Sequence, residues 1–287
     1  MNARHLAGDV SAFAEICHIQ GMDAAAHASP ELCRVLDEDP ELAEAIPSAK
    51  RAQAVRECLS RVLGLPAGRW LASHTAVPRE GIGLLVIDGL LIRRVGVDGR
   101  FGAELLGAGD VLRPWQGEDA QPTLRVVTGW RVIEPTQLAV LDEQFARRLA
   151  RYPEVTGRLV GRAVERSRNL AVNMAIVHQA RVDVRLHMLL WQLAARWGRV
   201  RSDCVILPLR LTHSVLADLT AARRPTVTSA LSALSRRGLV HAVEDGWELL
   251  GRPPGELLEL VEVPEELAGA SHERAGAIGG PVSGDAV

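Results

Sequence analysis

The stretch from Leu211 to Leu239, Leu-Thr-His-Ser-Val-Leu-Ala-Asp-Leu-Thr-Ala-Ala-Arg-Arg-Pro-Thr-Val-Thr-Ser-Ala-Leu-Ser-Ala-Leu-Ser-Arg-Arg-Gly-Leu, reads as two short helices joined by a tight turn. Thr212 is a good N-cap, and Val215, Leu216 and Leu219 recur on one helical face until Thr220-Ala221-Ala222 breaks the pattern. In the second helix Pro225 suits a first turn and Val227, Ala230, Leu231 and Leu234 sit at i, i+3, i+4 and i+7. Gly238 supplies the stop. The face left outward carries Thr226, Thr228, Ser229, Ser232 and Ser235, with Arg223 and Arg224 at its start and Arg236 and Arg237 at its end.

Short hydroxyl side chains flanked by arginines are what a helix needs to enter a major groove. The hydroxyls let the backbone approach base edges, and the guanidiniums grip phosphate or guanine. Between Arg210 and Val240 five arginines face one acid, Asp218, in a chain whose net charge is -2. A solvated helical pair packed on another domain would show the same periodicity. The next residues favour the nucleic-acid reading: Leu239 to Glu244 looks like a strand, Asp245-Gly246 like a hairpin turn and Trp247 to Leu250 like the return strand. Two helices and a two-stranded wing make a winged helix.

Outward from this segment the texture changes twice. Asp142 to Arg151 is predicted as a short helix and Glu154 to about Gln179 as one long helix, striped with Val155, Leu159, Ala163, Leu170, Met174 and Val177. Such a stripe is read as a dimer seam, with packing on the chain's own sheet as the alternative. Val182 to Trp197 is a further helix supporting the winged unit. Ahead of these, short apolar runs separated by Asp88-Gly89, Asp98-Gly99 and Gly107-Ala108-Gly109-Asp110 predict an antiparallel meander closing as a jelly roll, with later strands at Leu124 to Val127, Trp130 to Ile133 and Leu138 to Leu141. Leu32, Val35, Leu36, Leu42 and Ile46, then Ala52, Val55, Cys58, Leu59 and Val62, are spaced as two or three short helices interrupted by Pro40 and Pro47.

The expected fold class is therefore α+β: N-terminal helices, a jelly roll, a long helix and a C-terminal winged helix-turn-helix. The expected divisions are 1–63 for the extension and helices, 64–141 for the roll, 142–180 for the helical linker, 181–254 for the winged unit and 255–287 for a largely disordered tail. No run of eighteen apolar residues and no signal-peptide start are present, so a soluble cytoplasmic protein is expected, without a membrane partner. Cys17, Cys33, Cys58 and Cys204 are too scattered for a zinc or iron-sulfur site and read as reduced thiols.

In this order of parts the chain resembles the Crp/Fnr family of bacterial transcription regulators, over about Arg51 to Arg252. The resemblance rests on Leu211-Thr212, on Arg224-Pro225-Thr226-Val227-Thr228-Ser229-Ala230-Leu231, on Gly238-Leu239-Val240 and on Leu106-Gly107-Ala108-Gly109-Asp110-Val111 before the family's ligand pocket. It implies a homodimer on a two-fold symmetric operator in double-stranded DNA, an effector in the roll that changes the setting of the DNA-binding units, and RNA polymerase as a further partner to consider. Thr212, His213, Arg223, Arg224, Thr226, Thr228, Ser229, Ser232, Arg236 and Arg237 are the expected DNA contacts; Glu104, Arg113 and Arg125 are the expected effector pocket.

The departures are specific. Well-known members carry Glu directly after the recognition-helix Arg and a second Arg further on, where this chain has Pro225 and Ser229; Arg224 is retained. Ala221 stands where the helix-turn-helix usually has glycine. The Gly-Glu element and the Arg with a following hydroxyl residue that hold a cyclic phosphate are missing: the segment reads Asp110 to Glu118, and Val126 follows Arg125. This speaks against a cyclic nucleotide, as the scattered cysteines speak against an iron-sulfur cluster. A cupin-like metal enzyme would need several histidines in the roll, which offers only His74, so no catalytic function or metal site is expected. A winged helix that binds protein is the remaining alternative.

Overall fold

The computed structural model describes residues 31–72, 75, 77–97, 100–115 and 126–255. The tail, the first thirty residues, Arg125, His74, Cys17 and the Asp98-Gly99 turn lie outside them. An N-terminal layer comprises β1 (Leu32–Arg34), α1 (Val35–Glu38), α2 (Pro40–Glu44) and α3 (Ser48–Glu57). Pro40 opens α2, and Asp39 caps it by accepting from the Leu42 N–H. Then come β2 (Leu59–Leu65), β3 (Gly68–Trp70), β4 (Gly83–Val97), β5 (Arg100–Gly107), β6 (Val111–Leu112) and β7 (Val126–Leu141). All pair antiparallel in one seven-stranded sheet, ordered β1-β2-β7-β4-β5, with β3 added to β7 and β6 to β4.

Two expectations need correction here. Leu59 and Val62 continue the apolar spacing of a helix but lie in β2, because the chain leaves α3 at Cys58 and pairs with β7 from Arg61↔Val140 to Leu65↔Thr136. Leu32 likewise sits in β1, so the sheet draws on residues ahead of 64. Asp88-Gly89 is not a hairpin turn. It is an irregularity within the single strand β4, where the register against β7 shifts. Gly89 has φ +97, and a Cβ there would lie 2.5 Å from the Pro135 carbonyl oxygen, so only glycine fits. From Val126 on, the three later runs are likewise one strand, β7.

Alternation along these strands explains how the roll is filled. Leu84 and Val86 face inward to a core with Leu91, Leu106, Leu112, Val132, Leu138, Val140, Trp70, Trp115 and Trp130. Leu85, Ala139 and Leu141 face outward onto the N-terminal helices, α4 (Glu143–Leu149) and the start of α5 (Pro153–Val177). Past the irregularity the outward positions become Leu90 and Ile92, joined by Leu105, and these pack against the C-terminal unit.

That unit comprises α6 (Val182–Trp197), β8 (Arg199–Val200), β9 (Cys204–Leu207), α7 (His213–Leu219), α8 (Arg224–Arg236), β10 (Val240–Val243) and β11 (Gly246–Leu250). The wing is larger than the hairpin read from sequence: β9 pairs with β11 and β8 with β9, giving a four-stranded sheet. On α5 the apolar stripe is also corrected. Val155 and Leu159 are buried in the chain's own core, while Val160, Val164 and Met174 are 57, 65 and 65 % exposed. Among the described residues no helix is long and apolar enough to cross a membrane.

The turn between α7 and α8 holds Ala221 at φ +49, the one non-glycine residue with positive φ among those described. Left-handed backbone costs a residue with a Cβ about 1–2 kcal/mol, and glycine's extra unfolded-state entropy costs about 0.5–1 kcal/mol. Ala221→Gly is therefore expected to raise stability by about 0.5 kcal/mol, read as a higher midpoint in urea unfolding; a lower midpoint would mean that the turn is relaxed as alanine.

Candidate nucleic-acid interface

Helix α7 begins where Thr212 accepts a hydrogen bond from the Val215 N–H at 3.3 Å, and its Val215, Leu216 and Leu219 are buried. The turn that follows is closed by the Ala222 N–H on the Ala217 carbonyl (2.9 Å), and by the fully buried Thr220, whose hydroxyl donates to the Leu216 carbonyl at 2.7 Å. Arg185 of α6 donates to the Thr220 carbonyl at 3.2 Å, which ties the turn to the supporting helix. Helix α8 buries Val227, Ala230, Leu231 and Leu234 against the same core. Leu234, at 1 % exposure, alone contributes about 1.5–3 kcal/mol by burial.

What α8 leaves to solvent is Arg223, Arg224, Pro225, Thr226, Thr228, Ser229, Ser232, Ser235, Arg236 and Arg237. Three hydroxyls donate back into the helix: Thr228 to the Arg224 carbonyl at 3.1 Å, Ser229 to Pro225 at 3.2 Å and Ser232 to Thr228 at 3.0 Å. With their protons so engaged, these oxygens are left as acceptors, which suits Ser229 and Ser232 to the amino groups of adenine or cytosine, while the Thr228 oxygen also meets His213. His213 Nδ1 lies 2.9 Å from Thr228 Oγ1, linking the start of α7 to this face. His241 of β10 meets Ser235 at 3.2 Å, and Arg210 pairs with Asp245 in the turn of the wing hairpin.

The arginines differ. No ion pair involves Arg223, Arg224 or Arg236 among the described residues, whereas Arg237 reaches Asp183 of α6 at 3.5 Å. Asp183 is held below the usual carboxylate range, chiefly by its hydrogen bond from Arg181. The inner side of the unit is anchored on the sheet. Asp218 of α7 lies 3.5 Å from Arg94 of β4, and burial pushes its carboxyl above the ordinary value against the pull of Arg94 and Arg131.

The predicted effector residues have different surroundings. Glu104 is buried and bound by Arg93 and Arg166, Arg113 is exposed after β6, and Arg125 lies outside the described residues. The sequence reading missed Arg93, Arg162, Arg166 and Arg196. Arg162 and Arg166 stand at i, i+4 on α5, which was the available signal, but their carboxylate partners come from segments more than fifty residues away. Among the described residues no three His, Cys, Asp or Glu side chains converge as a metal site requires.

A family model described as a Crp-like helix-turn-helix domain matches residues 184–253. Residues 184–253 are thus similar to a Crp-like helix-turn-helix domain. The fold of the chain is shared by a cyclic nucleotide-binding domain containing protein from Listeria monocytogenes (15 % identity over 75 % of this chain and 96 % of that one, TM-score 0.55). It is shared also by a CooA mutant from Carboxydothermus hydrogenoformans (18 %, 72 % and 89 %, 0.53) and FixK2 from Bradyrhizobium japonicum (15 %, 71 % and 98 %, 0.50). At these identities the likeness outside residues 184–253 is one of fold alone. No curated protein matches the chain.

Two substitutions separate base reading from phosphate binding on this Crp-like unit. Thr228→Val should change base preference at one operator position and leave the salt dependence alone. Arg236→Ala should weaken all sequences alike and lower the slope of log K against log salt by about 0.9. Binding isotherms over a salt series check both, and the reverse pattern would reassign the two residues.

Proposed function

We propose that the chain is a sequence-specific, cytoplasmic transcription regulator that binds double-stranded DNA as a homodimer on a two-fold symmetric operator, with the β-roll as its sensor. The observation that carries this reading is the outer face of α8: acceptor hydroxyls between arginines at both ends, on a helix whose other face is buried. Arg224, Thr226, Thr228 and Ser229 set base preference. Thr212, His213, Arg223, Ser232, Arg236 and Arg237 hold phosphate or the edge of the site. The function is binding, not catalysis.

The dimer reading is supported by α5. Gly157, Val160, Gly161, Val164, Ala171 and Met174 form an exposed stripe of small and apolar side chains at helical spacing, on the side away from the sheet. A 25-residue helix with such a stripe matches the seam of a two-helix coiled coil. Two symmetric DNA-binding units would then read two half-sites about one helical turn, or a multiple of it, apart. RNA polymerase, as the machinery a bound regulator acts on, is a further partner in this reading.

Selection of bound DNA from a random library by the purified protein should enrich a palindromic motif. The Arg223→Ala, Arg224→Ala double variant should fail to enrich it and should bind with a lower salt slope. Binding that is insensitive to both changes would instead favour a winged helix that meets protein. Val164→Glu places a charge in the apolar stripe and is expected to convert the dimer to monomer in sedimentation, with loss of operator affinity; an unchanged sedimentation coefficient would place the dimer contact elsewhere.

A further inference from the structure

The outer face of α8 carries more positive charge than the groups around it neutralise. Arg223 and Arg224 at its start and Arg236 at its end are exposed and make no ion pair among the described residues; Arg237 reaches Asp183 at 3.5 Å. Asp218 lies on the inner side of the unit against Arg94, and Asp245 is taken by Arg210. Directly after the winged unit the sequence changes sign. Glu256, Glu259, Glu262, Glu265 and Glu266 fall within eleven residues, and no Lys or Arg stands between Arg252 and Arg274.

Where the chain leaves the unit decides what this segment can reach. The Leu250 N–H, at the end of β11, donates to the Leu239 carbonyl at 3.0 Å, and Leu239 follows Arg237 by two residues. Only Gly251 to Gly255 then separate β11 from Glu256, so the acidic segment is tethered beside the C-terminal end of α8. Helix α8 has 13 residues and is about 20 Å long at about 1.5 Å per residue. Eleven residues span about 16 Å as a helix and up to about 36–40 Å when extended, enough to serve the arginines at both ends. Leu257, Leu258, Leu260, Val261 and Val263 are interleaved with the glutamates. Pro225, the methyls of Thr226 and Thr228 and the arginine stems offer them apolar contact on the same face.

We infer that residues 256–266 dock on the outer face of α8 of the same chain, their glutamates standing where DNA phosphates would lie. The inference rests, for its regulatory meaning, on α8 being the helix that meets DNA. Each exposed ion pair is weak, but several act together, and a short tether holds the segment at an effective concentration of about 1 mM. With a dissociation constant of about 0.1 mM, the weak end of non-specific duplex binding, the closed form outweighs the open form by about ten to one. Every duplex must displace the same segment, so affinity falls by one factor for all sequences and the preference among them stands.

The test compares the full-length protein with a variant in which Glu256, Glu259, Glu262, Glu265 and Glu266 are all replaced by Gln. A charge-matched control carries Glu31→Gln, Asp37→Asn, Glu38→Gln, Glu44→Gln and Glu80→Gln, all exposed and none on the winged unit. The segment variant should bind a duplex of random sequence about tenfold more tightly at low salt. Its slope of log K against log salt should be steeper by about 0.9 for each arginine released. Net charge rises equally in both variants, so a control that gains as much would assign the effect to overall charge and overturn the contact. In a second measurement Leu260 is replaced by photo-reactive benzoylphenylalanine. It should cross-link to α8 within one chain, and excess duplex should abolish the product. No cross-link to α8, a product joining two chains, or a product that persists under excess duplex would each overturn the docking. Equal DNA binding by all three proteins without the cross-link overturns the contact alone; the cross-link without DNA binding by any of them overturns the regulator reading alone.

Discussion

Strand β4 serves all three cores of the molecule, and the irregularity at Asp88-Gly89 is what lets it do so. Before it, even-numbered residues Leu84 and Val86 point into the roll and Leu85 points out to the N-terminal helices. After it the parity reverses: Leu91 points in, and Leu90 and Ile92 point out toward α6 and α7. A strand with strict two-residue alternation could not change parity without an extra residue, and the backbone that absorbs it needs the positive φ of Gly89. The seat of the DNA-binding unit on the sheet therefore depends on one glycine far from any DNA contact.

That seat has two kinds of contact. The apolar one, Leu90, Ile92 and Leu105 against the leucines of α6 and α7, supplies attraction without direction. The polar ones, Arg94 with Asp218 and Arg196 with Asp110 and the Ala108 carbonyl, fix orientation. Half-buried ion pairs contribute little net stability, because desolvation offsets most of the attraction, so their effect is on which arrangement is preferred. An element held by modest, directional pairs can shift when a neighbouring charge changes.

The outer face of α8 is simple by contrast. Its apolar periodicity decides which residues are buried, and everything else faces out. Back-donation by Thr228, Ser229 and Ser232 adds a detail that residue types do not reveal, since a hydroxyl can donate or accept until its surroundings choose.

Local patterns thus determined the winged helix, the capped start of α7 at Thr212, the strained turn at Ala221, the long helix and the presence of an antiparallel sheet. In each case the signal is carried by residues within a few positions of one another. Only the tertiary structure decided the rest. Leu59 and Val62 have helical spacing, yet pairing with β7 overrode it; Cys204–Leu207 became a strand only because β11 lay beside it. Val155 and Leu159 share the apolar character of Val160 and Val164, but which side of α5 met the chain's own core depended on where the N-terminal helices packed. The arginine cluster was least legible of all, because the charge balance around Glu104 is a sum over β4, β5 and α5, and no sequence window contains all three.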